Sequence, residues 1–123
     1  MAIKKRSKFN NIKTTYRGRK YDSMAEAKYA ALLDELLESG QIKHVAYQIR
    51  YPLQDMAGTR RMAYIADFVV TNNKGEEFVI DVKGLLTQEN KVKLAYFQYV
   101  YKKKVHLVYT TGVLAFDYKF LLT

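Results

Sequence analysis

The sequence predicts an α/β domain, a single mixed β-sheet flanked by helices, and three observations carry that expectation. Apolar residues recur at helical spacing over 23–40, at a period of two over 45–83, and at helical spacing again over 89–101. Turn residues fall at the joints between these stretches. The resulting order is α-β-β-β-α-β, followed by a further C-terminal element.

Each element has its own local reason. Residues 1–20 show no hydrophobic period and read as a flexible or extended basic arm, leaving 21–123 as the folded domain. "SMAE" at 23–26 is a capping box that opens a helix, with Ser23 as N-cap and Glu26 at the third helical position. Tyr29, Ala30, Leu32, Leu33, Leu36 and Leu37 form its apolar stripe, and Gly40 closes it. "VAYQIRY" at 45–51 alternates like a strand, with Pro52 just beyond it. "RMAYIADFVV" at 61–70 and "EFVIDVK" at 77–83 are strands joined by the turn signal "TNNKG". Leu94, Phe97, Val100 and Tyr101 mark a second helix from Glu89 to Tyr101. "VHLVYT" at 105–110 reads as a strand, and 113–121 as one more.

Charge narrows the class of partner. Lys and Arg total 21 against 12 acids, a formal net charge of +9 over 123 residues. So large an imbalance favours a polyanion. Eight basic side chains fall within residues 1–20, Lys4, Lys5, Arg6, Arg17 and Arg19 among them, with no acid. Such arms commonly contact phosphates. Eleven tyrosines are available to stack on bases, although several fall at core spacing. Cysteine is absent, which excludes disulfides and thiolate metal sites. No apolar run reaches the roughly 20 residues of a membrane span, and the N-terminus has no apolar signal region, so a cytoplasmic protein without membrane contact is expected. No P-loop or dinucleotide fingerprint is present, and no small-molecule cofactor is expected.

The chemistry concentrates in "YIADFVVTNNKGEEFVIDVKG", residues 64–84. With the turn centred on Lys74, Val70 pairs with Phe78, Val69 with Val79, Phe68 with Ile80, and Asp67 with Asp81. Opposed residues share a face, and Lys83 lies two positions past Asp81, so all three ionisable groups converge at one end of the hairpin. Opposed carboxylates repel unless something compensates. Two readings stand side by side: a cross-strand Asp–Lys ion pair at an exposed strand end, or a site for a divalent cation. Magnesium suits one or two carboxylates with waters and a substrate phosphate, and such an ion can stabilise charge on a phosphoryl oxygen. Glu26 already serves the capping box, yet it shares a face with Tyr29, Ala30 and Leu33. A carboxylate facing a sheet asks for a partner.

The element order, an acid in the first helix, Asp67 on one strand and Asp81-x-Lys83 on the next together resemble the PD-(D/E)XK nuclease superfamily over residues 23–110. The segments "YDSMAEAKYAALLDELLESGQI", "YQIRYPL", "YIADFVV" and "VIDVKG" are similar to small phage-encoded nucleases of that superfamily. The resemblance implies a restriction-endonuclease-like core and Mg²⁺- or Mn²⁺-dependent hydrolysis of DNA phosphodiesters. It implies Asp67 and Asp81 as metal ligands, Glu26 as an assisting helix acid, and Lys83 as the catalytic lysine. Ala66 stands where many members have proline, and Asp81 replaces the commoner glutamate. Gln48 and Gln98 are candidate site-lining residues. Lys91 and Lys93 sit near a helix N-terminus, where the macrodipole disfavours cations, which fits phosphate contact as well as plain solvation. By analogy the substrates are branched recombination or replication intermediates such as Holliday junctions. Two symmetric cuts then suit a homodimer. The alternative is a non-catalytic nucleic-acid-binding module on the same fold.

Overall fold

The computed structural model describes residues 13–54, 61–83, 86–109 and 116–122. A short hairpin, β1 (Thr14–Tyr16) and β2 (Arg19–Tyr21), leads into helix α1 (Met24–Glu38). Then follow β3 (Ile42–Gln54), β4 (Arg61–Asn72), β5 (Glu77–Lys83), helix α2 (Gln88–Tyr101), β6 (Val105–Tyr109) and a 3-10 helix, Lys119–Leu122. The main sheet has the order β3-β4-β5-β6. β3, β4 and β5 are antiparallel neighbours, whereas β5 and β6 run parallel across the α2 connection. The chain is therefore a mixed-sheet α/β domain, as its periodicity predicts. Among the described residues no helix is long and apolar enough to cross a membrane.

The N-cap and the glycine closure act as read, but the Glu26 carboxyl is hydrogen-bonded to the Asp22 backbone in place of the return bond to Ser23 that a capping box makes. Ser23 Oγ accepts from the Glu26 amide at 3.1 Å. At the other end Gly40 takes φ +76°, and the Gln41 and Gly40 amides donate to the Leu36 and Leu37 carbonyls at 2.8 and 3.1 Å. That pair of bonds is a Schellman closure, which favours glycine because the left-handed conformation crowds a Cβ. The β4–β5 turn is built on Asn72, which is buried. Its side-chain oxygen accepts from the Lys74 and Glu76 amides at 3.0 and 2.9 Å. Asn72→Ala leaves two amides without that acceptor and is expected to cost about 1–3 kcal/mol. Urea unfolding of the variant measures it, and an unchanged midpoint refutes the role.

Two cores face opposite sides of the sheet. On one side α1, the hairpin and the 3-10 helix close over Phe68, Val70, Ile80 and Val82, with Tyr29 and Leu33 fully buried. On the other, α2 brings Leu94 and Phe97 against Leu53, Tyr64, Ala66, Val69 and Val79.

Three sequence expectations are corrected. The stretch read as a basic arm folds from Thr14 onward, while residues 1–12 lie outside the described residues. Arg17 and Gly18, both at positive φ (50° and 77°), make the two-residue turn that matches strand twist in a hairpin, and Tyr21 anchors it by stacking on Phe68. Pro52 lies inside β3, opposite Ala63; β3 is an edge strand of the main sheet, where a missing N–H can be tolerated. The described part of 113–121 is no strand, and 110–115 lie outside the described residues. The buried Tyr29 hydroxyl donates to the Asp117 carbonyl at 2.9 Å, and Phe120 stacks on His106, so this segment packs over α1's side of the sheet.

Candidate active site

The expected register holds from Thr71–Glu77 to Phe68–Ile80, but the Asp67–Asp81 pair expected next does not form. There the β4–β5 ladder stops, although β4 stays paired with β3 to Arg61 and β5 with β6 to Lys83. The residue at the break is Asp67. One of its carboxylate oxygens, Oδ2, accepts the Val82 amide at 2.7 Å, taking the place a strand carbonyl would otherwise fill. Beyond it the two strands part, and a cleft opens between them.

Asp67 is also where the strands exchange faces. In β4, Phe68 and Val70 point to the α1 side, yet Tyr64 and Ala66, which share their parity, point to the α2 side. β3 switches beside it: Val45 and Tyr47 pack with α1, whereas Ile49, Tyr51 and Leu53 pack with α2. Gln48, at φ +50°, is the residue of β3 that makes the turn-over. The switch brings the Tyr64 hydroxyl to Asp81, where it donates to Oδ2 at 2.8 Å in a buried bond. Lys83 Nζ stands 3.3 Å from the other oxygen, Oδ1. Asp81 is only 2 % exposed, and both its oxygens have a partner.

The cleft is a cavity of about 160 Å³ lined by Tyr64, Asp81, Lys83, Asn90, Lys93 and Leu94, among others. Around it the carboxylates disturb one another. Burial, followed by the charges of Asp81 and Glu26, pushes the Asp67 carboxyl well above the usual carboxylate range, and a hydrogen bond with Asp81 adds to the rise. Burial and then Asp22 push Glu26 up to about 7; Asp81 raises it further and Lys83 opposes the rise. The Tyr64 phenol is pushed up by burial and by Asp81, so it stays a proton donor. Fully ionised, three carboxylates and one ammonium leave two uncompensated negative charges in a half-buried site.

That balance, with oxygen donors only, fits a hard divalent cation. Asp67 and Asp81 are the carboxylates that could hold one. Among the described residues no three acidic or histidine side chains stand close enough to enclose a metal between them, so Glu26 stands as a charge beside the pair and not as a third member of a closed cluster.

The other expected residues divide. Lys93 faces the Asp81 cavity, beside Asn90, which the sequence reading did not single out, while Lys91 and Gln98 line a different one, of about 190 Å³, against β6. Gln98 Oε1 accepts from the Val105 amide at 2.9 Å and is occupied in starting β6. Gln48 Nε2 donates to the Lys20 carbonyl at 2.8 Å, tying the hairpin to the sheet. Arg17 is taken up by Asp34 and Glu38 of α1, each at 3.4 Å, and Arg19 covers the Tyr47 ring. Lys4, Lys5 and Arg6 lie outside the described residues. Tyr64 and Asn90 are site residues that sequence reasoning missed, Tyr64 because strict alternation puts residues 64 and 67 on opposite faces.

No curated protein and no solved structure shows significant similarity to the chain. A family model matches residues 6–117, nearly the whole sequence and all four groups of the site, and the chain belongs to the family described as "Protein of unknown function (DUF1064)".

Proposed function

We propose that the chain is a metal-dependent endonuclease that hydrolyses DNA phosphodiester bonds, with Asp67, Asp81, Lys83 and Glu26 as its catalytic group on a restriction-endonuclease-like core. The observation that carries this reading is the mutual coupling of three carboxylates and one lysine at the broken end of the β4–β5 ladder. A purely structural ion pair needs one acid. Here a second buried acid is held above its usual range by burial and then by the charge of the first, an arrangement that costs stability and is characteristic of functional sites.

Within this reading each residue has a task. Asp67 and Asp81 would hold the cation, Mg²⁺ or Mn²⁺, with Glu26 adding charge from α1, and an ion held there would supply Lewis-acid polarisation of a phosphoryl oxygen. The Val82 amide and the Tyr64 hydroxyl lock the carboxylates in orientation, the role second-layer hydrogen bonds play at metal sites. Lys83, 24 % exposed at its side chain, reaches from Asp81 to the cavity and stabilises charge at the scissile phosphate. Lys93 and Asn90 hold a neighbouring phosphate oxygen. The net charge of +9 supplies long-range attraction to DNA. Branched recombination or replication intermediates are the proposed substrates, with a homodimer supplying paired cuts.

The test is cleavage of end-labelled linear, single-stranded, forked and four-way DNA with Mg²⁺, with Mn²⁺ and with EDTA. Cleavage that needs the ion supports the reading. DNA binding without cleavage of any substrate under either metal overturns it and leaves a binding module.

A further inference from the structure

A second cavity, of about 240 Å³, lies where the hairpin, α1 and β3 meet. It is lined by Tyr16, Arg17, Arg19, Tyr21, Asp34 and Tyr47. Asp34 is the hub: it accepts from the Tyr47 hydroxyl at 2.8 Å, pairs with Arg17 at 3.4 Å, and is hydrogen-bonded to the Tyr16 phenol. Arg17 is thereby neutralised, with Glu38 as its second partner. Arg19 is different. Its guanidinium carbon stands 4.4 Å from the Tyr47 ring centroid, and among the described residues no carboxylate pairs with it.

The chemistry of this lining selects its ligand. A phosphate inside the cavity would have to compete with Asp34 and Glu38 for Arg17, which both already hold. A nucleobase meets no such conflict. Its ring stacks on tyrosine or on a guanidinium plane, and its N–H groups donate to a carboxylate. The volume is below the roughly 300–1,000 Å³ of pockets for drug-sized ligands, which suits one heterocycle.

We propose that this cavity binds one unpaired base of single-stranded DNA, stacked against the Arg19–Tyr47 pair, with Asp34 accepting from its N–H edge. The cavity lies on α1's side of the sheet and the cleft of Lys83 and Lys93 on α2's side, the two joined at the face exchange of β3 and β4. Tyr47 pairs with Phe68, the residue next to Asp67, and Asp34 lies eight residues from Glu26, about 12 Å along α1. The preferred substrates then carry an unpaired segment close to the cut, as forks and flaps do. The inference rests on the nucleic-acid half of the proposed function and is independent of cleavage.

Binding is therefore measured in EDTA, by fluorescence anisotropy of the full chain with a single-stranded oligonucleotide and with a blunt duplex. Wild type, Arg19→Ala and Arg19→Lys are compared, each checked by thermal melting for an intact fold. Loss of one stacked base is expected to weaken single-strand binding by about tenfold in Arg19→Ala, with a much smaller change for duplex. Arg19→Lys restores the charge without the plane, so it is expected to stay weak on single strands. A 2-aminopurine placed in the strand is expected to change its emission with wild type and not with Arg19→Ala. Full rescue by lysine, or equal losses on both substrates, overturns the base site in favour of a phosphate contact. Duplex binding without single-strand binding overturns it while leaving the nuclease reading intact. Tight, Arg19-dependent single-strand binding by a protein that cuts nothing sustains it without that reading.

Discussion

Asp81→Asn is expected to lower metal-dependent DNA cleavage by at least about 100- to 1,000-fold, the scale on which removing one charge-stabilising group acts in a water-poor site. The reason is local. The substituted amide retains an oxygen to accept from Tyr64, so the fold is kept, but the change withdraws the negative charge that Lys83 and the cation both address. Single-turnover cleavage at saturating Mg²⁺ measures the effect, with binding in EDTA as the check that the variant still engages DNA. The loss should appear in the rate of the chemical step. A variant that cuts at the wild-type rate would show Asp81 to be an ordinary structural partner of Lys83.

Asp67→Asn is expected to have an opposite effect on stability and the same effect on activity. The Asp67 carboxyl is raised in the folded chain by burial, Asp81 and Glu26. The folded state therefore holds a proton that the unfolded state, with an ordinary carboxylate pKa near 4, has released. Where the unfolded state binds fewer protons, stability falls as pH rises. Wild type without metal should thus lose stability from about pH 4 upward, until the folded carboxyl also ionises. Asparagine removes this dependence. Its side-chain oxygen still accepts the Val82 amide, and its NH₂ donates to Asp81. At neutral pH the metal-free variant is expected to be more stable by about 1–2 kcal/mol, near 4–8 °C in Tm for a chain of this size. Mg²⁺ should raise the Tm of wild type through binding linkage and leave that of Asp67→Asn nearly unchanged. Calorimetry over a pH series, with and without metal, decides it. A variant that melts below wild type throughout would place Asp67 among the structural residues.

The parts of this arrangement that were legible in the sequence are those set by local pattern. The Asn-Asn-Lys-Gly turn and the Val, Phe and Ile alternation around it dictate the β4–β5 register as far as Phe68–Ile80, which brings Asp67 near Asp81; that Asp67 bonds the Val82 amide instead of pairing with Asp81 does not follow from spacing. Ser23, Glu26 and Gly40 announce α1 at both ends. What was hidden depends on tertiary packing. The face exchange at Gln48 and Asp67 leaves no trace in residue spacing, because both strands switch together and keep their register. Tyr64 was lost with it. The hairpin was obscured by its charge: Arg-Gly is a usable turn signal, but Tyr16 and Tyr21 as anchors mean nothing until Phe68 is in place. At the C-terminus, Phe116, Tyr118 and Phe120 alternate as a strand would, yet they pack against the core around α1.

The Asp67–Val82 bond has a consequence for the sheet itself. Every earlier rung between β4 and β5 joins one peptide group to another and is indifferent to solution conditions. The last rung ends in a side chain that can gain or lose a proton, be replaced, or turn its lone pairs toward an ion. The length over which these two strands are zipped is therefore chemically adjustable. Amide hydrogen exchange at Val82 reads that adjustment directly, so one backbone proton reports from inside the fold on what the carboxylates are holding.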